Sequence, residues 1–271
     1  VKEKNKDIRN TTISCPSKDG FFVAGPAASP PGSLSVEVTA DGSPTVRGPY
    51  GETYHSMSGA LLESAYVYRD CGLQYFVDKH TASGTLPSSI HILEAGLGTG
   101  LNALLACQTV SALPAPVHLF YSAIEKYPLQ KSVTDFLEYP AQAHEKNVFH
   151  TIHSCPWRIP YDLNNRFTLL KYPCDILEYD SCAAAVRSGA AGSVPEKIHV
   201  VFYDLFSPAV QPELWTEKAL QGIIPHLASG AVLTTYSCTG SFRRLLDKLG
   251  FKTERLPGPG AKRCILRAVF I

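Results

Sequence analysis

Three glycines at alternate positions, Gly96, Gly98 and Gly100, follow an acid, Glu94, that closes a run of apolar residues, and they open onto a second apolar stretch beginning at Leu101. A strand that turns through glycines into a helix brings its backbone close to a ligand, because no Cβ intervenes, and aims the helix-start N–H groups at it. The pattern here is G-x-G-x-G with the acid two residues before the first glycine. The dinucleotide fingerprint is G-x-G-x-x-G, whose wider turn suits a pyrophosphate. The tighter spacing favours S-adenosylmethionine over NAD, and a glycine turn without a ligand is the alternative that one motif leaves open.

Three further acids stand where extended segments end. Glu125 follows Ser122-Ala123-Ile124, about where a ribose diol needs two acceptors; a solvated strand end is the other reading. Asp175, before Ile176-Leu177, offers an acceptor to an adenine amino group or simply caps the helix that follows. Asp204 closes Phe202-Tyr203 and is followed by Leu205-Phe206-Ser207-Pro208, an acid with an aromatic and a proline beside the place of a transferring methyl. Methyl transfer to an amine is an in-line displacement, so the protein must hold the reacting atoms collinear and orient the amine's protons. A carboxylate can do the orienting, and Asp204 is the catalytic candidate, a turn cap being the alternative.

Taken in order, Leu93-Glu94-Ala95-Gly96-Leu97-Gly98-Thr99-Gly100-Leu101-Asn102, Asp204-Leu205-Phe206-Ser207-Pro208 with Pro212-Glu213-Leu214-Trp215, Thr235-Tyr236-Ser237, and Leu256-Pro257-Gly258-Pro259-Gly260-Ala261-Lys262-Arg263 resemble the MnmC methyltransferase family. Tyr54-His55-Ser56 and Glu63-Ser64-Ala65-Tyr66-Val67 extend the likeness, which spans roughly residues 50 to 271. Gln211, Cys264 and the pair Pro173-Cys174 depart from the family's usual Asn, Glu and Gly. The resemblance implies a class I methyltransferase fold, α/β and Rossmann-like, with a seven-stranded, mostly parallel sheet whose last strand is antiparallel, and S-adenosyl-L-methionine as donor. It implies methylation of the exocyclic amine of 5-aminomethyl-2-thiouridine at the tRNA wobble position. Tyr54, Glu63, Glu94, Gly96, Gly98, Gly100, Asn102, Glu125, Asp175 and Asp204 would border the cofactor; Asp204, Phe206 and Tyr236 would face the reacting base.

In some members of that family the domain is fused to an FAD-dependent oxidase. This chain stops at Ile271, so the oxidase half is expected to be absent, FAD is not implied, and a separate oxidase becomes an expected partner. Two other functions compete: a methyltransferase for a small-molecule or protein amine, and a non-catalytic module that binds S-adenosylmethionine or tRNA and recruits the oxidase.

The elements that must position these residues are legible as an alternation. Strands are predicted over 90–94, 117–124, 167–170, 198–203, 231–236, 252–256 and 264–270, with helices near 101–111, 129–139, 176–187, 213–227 and 241–249. Strand and helix in alternation mean a parallel sheet covered on both faces. Upstream, 34–39 and 45–47 flank Asp41-Gly42 and predict a β-hairpin. Residues 58–69 carry apolar side chains at 61, 62, 65 and 66, a helical spacing that Ser56 or Ser58 can cap and Gly72 can end. Residues 1–33, with the loop 25–32, are expected to be a flexible lead-in, 34–88 an extension and 89–271 the methyltransferase domain; the insertion 141–165 has no clear assignment.

A chain of 271 residues, 45% of them apolar, can bury a sizeable core. Without a run long enough for a membrane span or a signal-peptide core, a soluble cytoplasmic protein is expected. Eight scattered cysteines and nine dispersed histidines lack zinc-ligand spacing, so reduced thiols and no structural metal are expected. The formal net charge of +1 hides an asymmetry: from Ser229 onward there are eight Lys and Arg against two acids. Phosphate contact by that region is one explanation and a solvated basic face the other. Arg243, Arg244, Lys262 and Arg263 are the candidate RNA contacts.

Overall fold

Ser89–Ala95 and His118–Ile124 are buried from their second residue onward, with Ile, Leu, Phe, Tyr and Ala in most positions, as befits strands covered on both faces. The computed structural model describes residues 11–13, 33–48, 50–114, 116–139, 143–189 and 194–271. Its first three strands, β1 (Thr11–Ile13), β2 (Leu34–Val38) and β3 (Pro44–Arg47), form a small antiparallel sheet. The β2–β3 hairpin is the predicted one, and Gly42 (φ 82°) supplies the left-handed residue of its turn. Apart from β1, the expected lead-in 1–33, including the loop 25–32, lies outside the described residues except for residue 33.

The main sheet has strands β4 (Ser89–Ala95), β5 (His118–Ile124), β6 (Tyr161–Asn164), β7 (Phe167–Tyr172), β8 (Ile198–Tyr203), β9 (Leu227–Thr235), β10 (Phe251–Pro257) and β11 (Cys264–Phe270). Their order is β10-β11-β9-β8-β4-β5-β7-β6. Seven are the predicted strands, with the last, β11, antiparallel to β9. The eighth, β6, arises inside the 141–165 insertion and pairs antiparallel with β7 at the sheet edge. Helices are α1 (Ala60–Ser64), α2 (Tyr75–Ala82), α3 (Leu101–Ala112), α4 (Lys131–Thr134), α5 (Ala143–Ser154), α6 (Tyr179–Gly189), α7 (Glu217–Gln221) and α8 (Gly240–Lys248).

The two sheet faces carry separate cores. Ile92, Leu119, Tyr121, Val200 and Val232 pack with Val36 and Val46 of the hairpin and with the helix following it, while Leu93, Leu170, Tyr203 and Leu233 pack with Tyr179, Leu220 and Leu246. Burying each such side chain contributes about 1.5–3 kcal/mol, which holds the strand ends in register.

The order of strand addition reverses at β4: β5 and β7 lie on one side, β8 and β9 on the other, all parallel to it. In open α/β sheets a crevice forms beyond the strand carboxyl ends at such a switch point. Here those ends are Ala95, Ile124 and Tyr203.

Three helix expectations need correction. The 58–69 helix continues, because a ten-residue π-helical stretch, Ala65–Gln74, joins α1 to α2 without a break at Gly72. Gly72 instead allows close packing, since a Cβ there would lie 3.0 Å from Phe202 and from Thr234. The buried face is also broader than the four expected positions: Ala60, Glu63, Ser64, Val67 and Tyr68 point inward, Leu61, Ala65 and Tyr66 pack half-buried against the core, and only Leu62 of the four is exposed, at 43%. The face turns further than the apolar spacing indicates because it also carries Glu63, which lines the crevice, and Tyr68, which holds Asp204.

The predicted 129–139 helix shrinks to α4, as Val133, Leu137 and Tyr139 enter the core from a short, irregular turn. The 213–227 helix breaks into 3-10 turns at Pro212–Trp215 and Ile224–His226 around α7, because Thr216 is extended (φ −112°, ψ 165°) and Pro225 lacks the N–H that a continuous helix needs.

Candidate functional site

A crevice of ≈ 460 Å³ opens above the ends of β4, β5 and β8. Its floor is the glycine loop. Gly96 (φ 91°) sits so close to the β8 end that a Cβ would come within 2.3 Å of the Asp204 carbonyl oxygen, and a Cβ on Gly98 (φ 51°) would meet the Tyr54 ring at 2.9 Å. The N–H groups of Gly96 and Leu97 are both spent on the Ile124 carbonyl, which ties the loop to β5.

Glu125, just past β5, takes the Gly98 N–H at 2.9 Å on one carboxylate oxygen and the Tyr127 N–H at 2.7 Å on the other. Enclosure by protein raises its pKa, and those two N–H groups pull the other way. Each oxygen keeps a lone pair for a further donor. Asp175 accepts from Leu177 N at 3.0 Å, the expected cap, and its other oxygen pairs with Lys126 at 2.8 Å. It lines the crevice between Cys174 and Ile176.

At the end of β8, Asp204 is half-buried, with one side open to the crevice. Tyr68 donates to its Oδ1 at 2.6 Å and Asn102 Nδ2 to its Oδ2 at 2.8 Å. Enclosure raises the Asp204 pKa to about 7, Tyr68 and Asn102 oppose the rise, and the Glu63 charge adds to it. Asn102 Nδ2 also donates to Glu94 at 2.9 Å, so one amide bridges two acids. Burial drives the Glu94 carboxyl well above the usual range.

Opposite this acid stand rings. Phe206 meets Tyr54 edge-on at 5.0 Å and Tyr50 at 5.8 Å between centroids. Tyr236 donates its hydroxyl to the Leu205 carbonyl at 2.8 Å, and Trp215 donates to the Phe206 carbonyl at 2.9 Å, fixing the segment that carries Phe206. Lys262 lies 4.2 Å over the Tyr236 ring and pairs with Glu63, whose other oxygen takes the Ser56 N–H at 2.7 Å.

Ten of the expected residues therefore line one crevice: Tyr54, Glu63, Gly96, Gly98, Glu125, Asp175, Asp204, Phe206, Tyr236 and Lys262. Glu94, Gly100 and Asn102 lie beneath its wall rather than on it; a Cβ on Gly100 would meet Ile152 and His153 at 3.1 Å. Arg243, Arg244 and Arg263 are exposed and away from the lining, and Lys262 parts from them by facing inward.

Sequence reasoning missed Tyr68 and Glu52. Glu52 takes the Ser207 N–H at 3.1 Å and also holds the Ser207 hydroxyl. Neither belongs to a motif, so only their unusual setting, a tyrosine on a buried helix face and an acid in a glycine-rich turn, could have marked them. No group of three His, Cys, Asp or Glu side chains among the described residues is placed to hold a metal ion, and no described helix is long and apolar enough to cross a membrane.

Comparison with known proteins agrees with this arrangement. Residues 166–270 match a family described as S-adenosyl-L-methionine-dependent methyltransferase. The chain is 31% identical over 231 residues to the tRNA 5-methylaminomethyl-2-thiouridine biosynthesis bifunctional protein MnmC of Pseudomonas fluorescens, covering 82% of this chain and 32% of that protein. The MnmC of Pseudomonas savastanoi is 29% identical over 229 residues, with the same two coverages, 82% and 32%. The chain thus spans about one third of the length of these curated relatives.

Among solved structures, MNMC2 of Aquifex aeolicus superposes with a TM-score of 0.69 at 23% identity, covering 90% of this chain and 71% of that one. A glycine loop at the switch point, acids at three strand ends and these likenesses converge: the chain has the fold of the class I S-adenosylmethionine-dependent methyltransferases, and over 82% of its length it is similar in sequence to an MnmC protein.

Proposed function

We propose that the protein transfers a methyl group from S-adenosyl-L-methionine to the exocyclic amine of 5-aminomethyl-2-thiouridine at the wobble position of tRNA. The carrying observation is Asp204, a carboxylate with a pKa raised to about 7, held by Tyr68 and Asn102 at the crevice edge between the glycine loop and the Phe206 ring.

The residues fit this cofactor. Gly96 and Gly98 leave a cradle that a Cβ would fill, Glu125 keeps acceptor capacity for a diol, and Ile124, Cys174 and Ile176 wall a slot suited to a flat base beside Asp175. Glu63 and Tyr54 border the other side. When bound, S-adenosylmethionine supplies an electrophilic methyl on a sulfonium. The protein's own part is positioning and proton handling. Asp204 accepts a hydrogen bond from the amine and takes its proton, and near neutrality it exists in both forms, as a general base should. Phe206 and Tyr236 border the base. Since Tyr236 spends its hydroxyl on Leu205, it contributes a ring surface and a fixed wall rather than a donor.

The names of the relatives support tRNA as acceptor, and the word bifunctional in them supports a second, linked activity, proposed here as an FAD-dependent oxidase. Incubation with labelled S-adenosylmethionine and tRNA carrying the aminomethyl group tests the reading. Label is expected in the wobble nucleoside after ribonuclease digestion. Label that stays on protein or small molecules, or no transfer while the cofactor binds, rejects it.

A further inference from the structure

Outside the crevice, two thiols and a guanidinium meet at one end of the antiparallel strands. Cys238 follows β9 and Cys264 opens β11, strands that pair with Leu266 opposite Thr235. That register brings the two thiols to the same end of the strands, close enough for each to shift the other's ionisation, and Arg255 Nη2 on β10 donates to Cys264 Sγ at 3.2 Å. Both cysteines are free and partly exposed.

We propose that Cys238 and Cys264 form an oxidisable thiol pair, in which Cys264 attacks a hydroperoxide, Cys238 resolves the product into a disulfide, and Arg255 holds the attacking sulfur. The Cys264 thiolate attacks one peroxide oxygen; the O–O bond breaks, Cys264 becomes a sulfenic acid, and the departing alkoxide or hydroxide takes a proton from water. The Cys238 thiol then attacks the Cys264 sulfur, the S–O bond breaks, the S–S bond forms and water leaves. Sulfur is oxidised and peroxide oxygen reduced, two electrons each way.

The environments divide these roles. The hydrogen bond from Arg255 pulls Cys264 below an ordinary thiol, whereas burial, together with Cys264 itself, pushes Cys238 up. A low-pKa accessible thiol beside a second, protonated one is the arrangement that such chemistry requires. Tyr236 lies two residues before Cys238 and Lys262 two before Cys264, so the bond would staple together the segments that wall the crevice.

A second pair in the molecule serves as the control. Cys182 also acts on Cys174, but burial pushes Cys174 up and Arg255 is not among the groups acting on it. The reduced full-length protein is treated with hydrogen peroxide and its disulfides mapped by peptide mass. A Cys238–Cys264 bridge is expected to form first. Arg255→Met should slow it by about tenfold, because less of Cys264 is then thiolate. Cys238→Ser should leave a sulfenic acid on Cys264 that a cyclic 1,3-diketone captures. The proposal is overturned if Cys174–Cys182 or a bridge to Cys15 forms as fast, if Arg255→Met reacts like the parent, or if Cys264 yields no adduct in the serine variant.

Discussion

Tyr68 reaches Asp204 across 136 residues of sequence and donates a hydrogen bond of 2.6 Å to the one carboxylate on the crevice edge whose pKa is raised to about 7. The tyrosine comes from the π-helical stretch and the acid from the end of β8, so the helix after the hairpin is part of the site rather than an appendage. Deleting this donor should act on charge more than on shape. In Tyr68→Phe the Asp204 pKa rises further, so methyl transfer at neutral pH falls and recovers at alkaline pH. Hydrogen bonds to charged groups contribute about 1.5–3 kcal/mol, which sets a loss of roughly tenfold or more near pH 7. A pH–rate profile with an unmoved acid limb would contradict this.

Asp204 also makes stability depend on pH. Its folded pKa lies above its unfolded value, so its favourable contribution is complete below about 4 and is lost as pH rises through about 7. Asp204→Asn keeps the shape and removes the charge. Thermal unfolding should show little change at pH 4 and a gain at pH 8, on the order of 1–3 kcal/mol given the side open to solvent. Methyl transfer by the same variant should be abolished at both.

Two glycine substitutions separate backbone strain from crowding. Gly230 (φ 78°) has open space where a Cβ would go, whereas at Gly96 the Cβ would lie 2.3 Å from the Asp204 carbonyl oxygen. Gly230→Ala is expected to cost about 1 kcal/mol and to leave cofactor affinity alone. Gly96→Ala should cost more and abolish cofactor binding by calorimetry. Equal effects would mean that the close approach of loop and strand has no role.

Glu125→Ala removes both the proposed diol acceptor and the partner of Gly98 N. Cofactor affinity should fall by at least about tenfold, equivalent to about 1.4 kcal/mol. Unchanged calorimetric binding would move the ribose site elsewhere.

The four basic candidates should split into two groups. Reversing Arg243 and Arg244, exposed on α8, should weaken tRNA binding for every sequence and flatten its salt dependence, as for phosphate contacts. Lys262→Met should leave the salt slope intact and lower turnover, because Lys262 is engaged by Glu63 and Tyr236 inside the crevice. Filter binding across a salt series distinguishes the two.

Local chemistry determined what the chain alone revealed. Apolar runs and glycine punctuation specify β4, β5, β8 and the turn after Glu94, because burial on both faces and close backbone approach leave their marks on adjacent residues. The positions of Glu125, Asp175 and Asp204 followed from the same reading, as each closes or follows a recognisable strand.

Tertiary structure alone decided the rest. Periodicity found the helix after the hairpin but only part of its inward face, since Glu63 and Ser64 are buried there beside Ala60, Val67 and Tyr68 while Leu62 is exposed. Lys262 reads as one more basic residue until the fold brings it 199 positions back to Glu63. A hydrogen bond or ion pair between distant segments has no signature in either one, because its energy depends on a distance that only the packed sheet and its two cores set.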